Sequence, residues 1–299
     1  MKADGSDRTR VTSAQNVHRV YGWSPDNRYI AVTLLEGGAD AQARETIAVV
    51  DVGSGAIAML GGLPSQGPEV FWYAPGALAY ALGDGVQVVS IADGSLQSVL
   101  PLPAELARAA RRLRVSPDLT WVAFEVAGAF PQEGVNVFVY PLNGGETKPL
   151  SEDGTTYLGT WRLDKIVYHT YGRENAVKEM NPDGSGQRKL IDLDNWFVVQ
   201  MVASADGRVL FYAVEDRETC CGLVAGKLYV YDFSVGGARL VYNLRKETAA
   251  VDLAVSADGA TASFGLDGVV DSSFFIVDTR TGQVLQACEG ACTHAQWSR

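Results

Sequence analysis

Three histidines, four cysteines and no assembled nucleophile bound the chemistry open to this chain. His18, His169 and His294 are widely separated in sequence, so acid–base work would fall mostly to carboxylates. No Gly-x-Ser-x-Gly elbow occurs, nor a phosphate loop, a dinucleotide glycine fingerprint or a His-Glu-x-x-His pair. One catalytic arrangement stays open. His18 and His294 both fall at or just before a strand near a chain end, and a divalent metal held by them with carboxylates would polarise a substrate oxygen. Otherwise no residue is assigned a catalytic role, and no cofactor is expected.

The cysteines point to loops rather than to metal. Cys220 and Cys221 are adjacent, and Cys288 and Cys292 are four apart, a spacing that a loop can close into a disulfide. Bridging Cys220 to Cys221 would require a strained ring. Four cysteines permit three pairings, and the sequence does not choose among them. Paired loop cysteines fit an oxidising compartment, and incidental buried thiols are the alternative. Neither pair has the two-residue gap usual for zinc.

The elements that must position these groups follow from a repeat. Trp23-Ser24-Pro25-Asp26-Asn27-Arg28-Tyr29-Ile30-Ala31-Val32 reads as a strand end, a tight turn and a second strand. Looser copies open at Val115-Ser116-Pro117-Asp118, Ala203-Ser204-Ala205-Asp206-Gly207 and Val255-Ser256-Ala257-Asp258-Gly259. Worn copies stand at Tyr73-Ala74-Pro75-Gly76 and Thr160-Trp161-Arg162-Leu163, and a truncated one ends the chain at Gln296-Trp297-Ser298-Arg299. From Ser24 through Ala74, Ser116, Trp161, Ser204, Ser256 and Ser298, successive spacings are 50, 42, 45, 43, 52 and 42 residues. A period in the forties filled with short strands is the mark of propeller blades.

Each repeat adds two further strands joined by an Asp-Gly type of turn, clearest at Asn181-Pro182-Asp183-Gly184-Ser185. The expected fold is therefore all-β: a β-propeller of four-stranded antiparallel blades, six of them, or seven with one split or incomplete. Blades fall at about 19–60, 68–100, 112–150, 155–191, 198–242 and 250–287, within a single domain covering 1–299. Residues 1–12 and 293–299 would contribute to closure. Trp23, Trp161 and Trp297, at equivalent ends of first strands, are expected to pack between blades, and Trp72, Trp121 and Trp196 likewise.

The pairing of Trp-Ser-Pro-Asp turns with Met-Asn-Pro-Asp-Gly-Ser turns resembles the repeats of TolB-like β-propellers, over nearly the whole chain. These are periplasmic or extracytoplasmic modules, and the same repeat occurs in the propeller domains of prolyl oligopeptidase-like enzymes. The resemblance implies a scaffold that binds a protein or peptide across a face or in an axial channel. It also implies a place outside the cytoplasm, as a monomer or as part of a longer chain such as a receptor, sensor or peptidase. The second and fourth repeats lose the Ser-Pro-Asp order.

Composition agrees. With 47% hydrophobic and 20% charged residues the chain can bury a core, which excludes disorder. A net charge of -10 argues against a nucleic-acid partner. Arg108, Arg111, Arg112 and Arg114 form the one basic cluster, in a segment whose residues favour a helix from about Pro103. No apolar run is long enough to span a membrane as a helix, and the first residues lack a secretion signal, which leaves two readings: a cytosolic protein, or a mature or excised piece of a longer one.

In a four-stranded meander the first and third turns share one end, and these are short. The opposite end carries long connections, where binding residues on a rigid scaffold usually sit. The candidates there are Glu36, Asp40 and Arg44, then Phe130 and Glu133, then Glu215, Asp216, Arg217 and Glu218 beside Cys220 and Cys221. Cys288 and Cys292 fall at the same end, after the sixth repeat.

Overall fold

The computed structural model describes residues 17–24, 26, 28–36, 44–62, 70–82, 85–101, 110–127, 134–216, 226–244, 248–268 and 273–289. Among them there is no helix; every element is a strand or a turn.

Sheet 1 comprises β1 (Val17–Trp23), β2 (Tyr29–Glu36), β3 (Arg44–Asp51) and β4 (Ile57–Gly62). Sheet 2 comprises β5 (Val70–Ala74), β6 (Ala77–Leu82), β7 (Gly85–Ser90) and β8 (Leu96–Pro101). Sheet 3 comprises β9 (Ala110–Val115), β10 (Trp121–Ala127), β11 (Val135–Pro141) and the short β12 (Lys148–Pro149). Sheet 4 runs through β13 (Thr156–Arg162), β14 (Lys165–Thr170), β15 (Ala176–Met180) and β16 (Arg188–Asp192). Sheet 5 runs through β17 (Trp196–Ala203), β18 (Val209–Asp216), β19 (Gly226–Asp232) and β20 (Gly237–Asn243). Sheet 6 runs through β21 (Thr248–Val255), β22 (Thr261–Gly268), β23 (Ser273–Asp278) and β24 (Val284–Glu289). Every sheet is an antiparallel meander in chain order, and the fold is a six-bladed β-propeller.

The sheets fall into two compact units, one holding sheets 1 to 3 and the other sheets 4 to 6. Within the first, sheets 1 and 2 share a core of Ile47, Val49, Leu78 and Val89, and sheets 2 and 3 one built on Val88, Leu113, Phe124 and Phe138. Within the second, Val167, Val177, Val198 and Tyr212 fill the space between sheets 4 and 5. Phe211, Leu228, Phe264 and Phe275 do so between sheets 5 and 6, with Phe264 and Phe275 stacked at 4.9 Å. Each such side chain contributes about 1.5–3 kcal/mol of apolar burial.

Position in the meander decides the residue pattern. Sheet 5 is covered on both faces by its neighbours, so β18 reads as an unbroken apolar run, Val-Leu-Phe-Tyr-Ala-Val, with all six residues buried. Its outer strand β20 is largely exposed. In sheet 4 the outer strand carries Arg188, Lys189 and Asp192, charges that discourage pairing with a further strand. First strands are irregular: β1, β5, β9, β13, β17 and β21 each show a register shift against their partner. Such bulges add local twist.

One expectation is overturned. The segment read as helical from about Pro103 is strand β9 from Ala110 onward, with Arg111, Arg112 and Arg114 on it. Residues 102–109, including Arg108, lie outside the described residues. Ala, Leu, Glu and Arg favour helix by intrinsic propensity, but that preference amounts to tenths of a kcal/mol per residue. Pairing of β9 with β10 and burial of Leu113 outweigh it.

Candidate functional site

The repeat's defining residues are spent on holding turns. Ser24, Ser116, Ser204 and Ser256 donate their hydroxyl protons to Asp26, Asp118, Asp206 and Asp258 at 2.6, 2.5, 2.6 and 2.7 Å. Three of the same oxygens accept a backbone N–H from the second strand: Tyr29 at 2.9 Å, Val209 at 3.0 Å and Thr261 at 3.0 Å. The aspartates in turn accept N–H bonds from Arg28, Arg208 and Ala260. Between third and fourth strands an aspartate again caps the turn: Asp51 accepts from Ser54, Asp93 from Ser95, Asp183 from Ser185, Asp232 from Ser234 and Asp278 from Thr281. These bonds to the ionised form hold the Asp26, Asp51, Asp93, Asp232, Asp258 and Asp278 carboxyls below the ordinary range.

Neighbouring turns are also stapled to each other. Arg162 Nε donates to the Gly207 carbonyl at 2.7 Å, its guanidinium lies 3.7 Å over the Phe233 ring, and Nη1 reaches buried Glu179 at 3.2 Å. Arg188 closes on the same carboxylate at 2.8 Å. The Asp206 N–H donates to Ala257 O at 3.0 Å, and Arg239 donates to the carbonyls of Thr279 and Arg280. At the turn end, these polar groups are bonded within the fold.

The loop end of sheets 4 and 5 is built differently. Tyr157 on β13 stacks on buried His169 of β14 at 4.9 Å with planes 11° apart. Phe197 on β17 meets His169 edge-on at 4.8 Å and Tyr157 at 5.1 Å, and Tyr171 meets Phe197 at 5.3 Å. Next to Phe197, Trp196 carries the Lys227 ammonium 4.2 Å from its ring centroid. Tyr157, Tyr171 and Trp196 are half-buried, so an aromatic ledge with exposed rims tops the seam between the two sheets. Gly159 permits the approach: a Cβ there would run into the Met201 side chain on β17. Around the ledge, Lys178 donates to Glu174 and holds its carboxyl below the ordinary range, while Asp192, 2.7 Å from Lys189, holds that ammonium above its own.

The candidate residues fall as follows. Glu215 and Asp216 end β18 and stand opposite Phe197 and Trp196 in register, which brings them to the ledge. Glu36 and Arg44 form the last register pair of β2 with β3. His18 lies on β1, and Cys288 lies on β24 opposite Phe274. Asp40, Phe130, Glu133, Arg217, Glu218, Cys220, Cys221, Cys292 and His294 lie outside the described residues, as does Trp297. Trp161 is buried as expected. The cluster of Tyr157, His169, Tyr171 and Phe197 was not foreseen. Its signal in the sequence is the placing of aromatic residues beside the connections at one end of consecutive repeats. Among the described residues, no group of three or more His, Cys, Asp or Glu is arranged to hold a metal ion.

No family model and no curated protein matches the chain. Solved structures do. An oligogalacturonate lyase in complex with manganese is similar at 15% identity and a TM-score of 0.65, covering 90% of this chain and 77% of its own. A putative TolB from Agrobacterium tumefaciens is similar at 14% identity and a TM-score of 0.59, covering 82% and 89%. The propeller domain of the trilobed protease from Pyrococcus furiosus gives 14% and 0.59, covering 91% and 84%. The protein is thus a six-bladed propeller with the fold of TolB-like proteins. At such identities the likeness speaks for fold alone.

Proposed function

We propose that the protein is a non-catalytic scaffold, placed outside the cytoplasm, that binds a protein or peptide partner at the loop ends of its blades. The observation that carries this reading is the contrast between the two ends of sheets 4 and 5. Turn-end carboxylates, hydroxyls and guanidinia are bonded within the fold. The loop end presents the half-buried rings of Tyr157, Tyr171 and Trp196 along one seam. Rigid aromatic side chains with polar rims supply contact area at low entropic cost.

The test is capture from the native source by three proteins: the wild type, a variant with residues 217–225 shortened and Tyr171→Ala, and a turn-end control, Leu163→Gly. The control replaces an exposed leucine held at φ +52° with glycine, which adopts that conformation freely. Loss of the partner from the loop-end variant alone supports the reading. Equal capture by all three, or loss from the turn-end control alone, contradicts it.

A second reading, a metal-dependent enzyme of lyase or lactonase type, rests on the fold shared with the manganese-bound lyase. Stoichiometric metal in the purified protein, lost in His18→Ala, would favour it over the scaffold.

A further inference from the structure

We infer that Asn143 is a site of spontaneous covalent modification, converted by its own backbone from an amide to an acid. Of the eight asparagines in the chain, Asn143 is the one followed by glycine. It occupies the turn between β11 and β12, where Asn143, Gly144 and Gly145 are all exposed. Gly144 has φ +94°, Gly145 has φ +146°, and a Cβ placed on Gly144 would meet nothing within 4 Å. No neighbouring group crowds the Gly144 backbone on its Cβ side, and the two glycines let the turn rearrange. One bond restrains it, from Gly144 N–H to Pro141 O at 3.1 Å, at the long end of the usual range.

The reaction needs no partner beyond water. The Gly144 backbone nitrogen loses its proton to solvent and attacks the Asn143 side-chain carbonyl carbon. Ammonia leaves, and a five-membered succinimide forms. Water then opens either carbonyl of the ring, giving an ordinary aspartyl link or an isoaspartyl link that carries one extra backbone atom. Either product adds one negative charge to a chain already at -10.

The sister turn of sheet 4 shows what the ordinary product resembles. There Asn181 O accepts from Gly184 N at 2.9 Å, as Pro141 O does from Gly144, so Asp183 stands at the position of Asn143. Its Oδ1 accepts the Ser185 N–H at 2.9 Å. The aspartyl product at Asn143 therefore suits the turn, whereas the isoaspartyl product lengthens it and breaks its register with β12.

The experiment is incubation of the folded full chain at mildly alkaline pH, followed by peptide mapping and charge-resolved separation. Wild type, Asn143→Gln and Gly144→Ala are run in parallel. The expected result is an amide-to-acid mass gain on the peptide holding Asn143 before that of any other asparagine. Both variants should lose the early acidic species. Conversion first at another asparagine, or acidic species accumulating equally in Asn143→Gln, would overturn the assignment. So would a folded chain that stays unmodified while the same peptide, cut free, converts.

Discussion

At the scale of single residues, the Ser-x-Asp pair explains both the repeat and the charge. A serine that both donates to a carboxylate and accepts a strand N–H satisfies groups that a buried turn would otherwise leave open. Ser24 and Ser204 are buried with both bonds made. The aspartates follow, and they make the protein acid-sensitive. A carboxyl whose pKa is lower in the folded than in the unfolded chain contributes stability above the unfolded value, about 4, and loses it as pH falls through the folded value. The denaturation midpoint should therefore hold steady from neutral pH down to about pH 4 and drop below it. Asp258 isolates the cause, since the Ser256 hydroxyl is the leading influence on it. In Ser256→Ala the Asp258 carboxyl should titrate closer to the ordinary range by NMR; an unchanged titration would contradict this account.

At the scale of strands, the sequence was most legible where turn chemistry and apolar runs coincide. Ser204-Ala205-Asp206-Gly207 followed by an apolar stretch announces β17, a turn and β18, and the structure has them. Legibility was partial at β9: the repeat places a first strand from about Arg112 to Val115, but local propensity favours helix, and the strand from Ala110 comes from pairing with β10. It failed at the aromatic ledge. Tyr157, His169 and Phe197 belong to different strands, and no local pattern states that the first strands β13 and β17 pack together. Gly159 is what lets them do so. Gly159→Ala should destabilise by about 1–3 kcal/mol, as overpacking does. Chemical denaturation should show part of that loss recovered when Met201→Ala is added, the rest persisting because the same Cβ would also stand 2.7 Å from the Val167 carbonyl oxygen. Losses that simply add would place the strain elsewhere.

At the scale of the whole molecule, the described residues form twenty-four strands in six like sheets that divide the labour between their ends. Short turns spend polar groups on the fold, and the aromatic ledge stands at the opposite end, where the connection 217–225 joins β18 to β19. Fold class was readable because a forty-residue period repeats its turn signals many times over. Partner chemistry was not, because a binding surface is assembled from residues far apart in sequence and each sheet supplies only part of it. The most direct measurement is amide hydrogen exchange on the protein with and without the partner it captures. The account predicts added protection in 171–175, 194–197 and 215–227, with the turns at 205–208 and 181–186 unchanged. Protection confined to those turns, with the loop end exchanging as before, would contradict it.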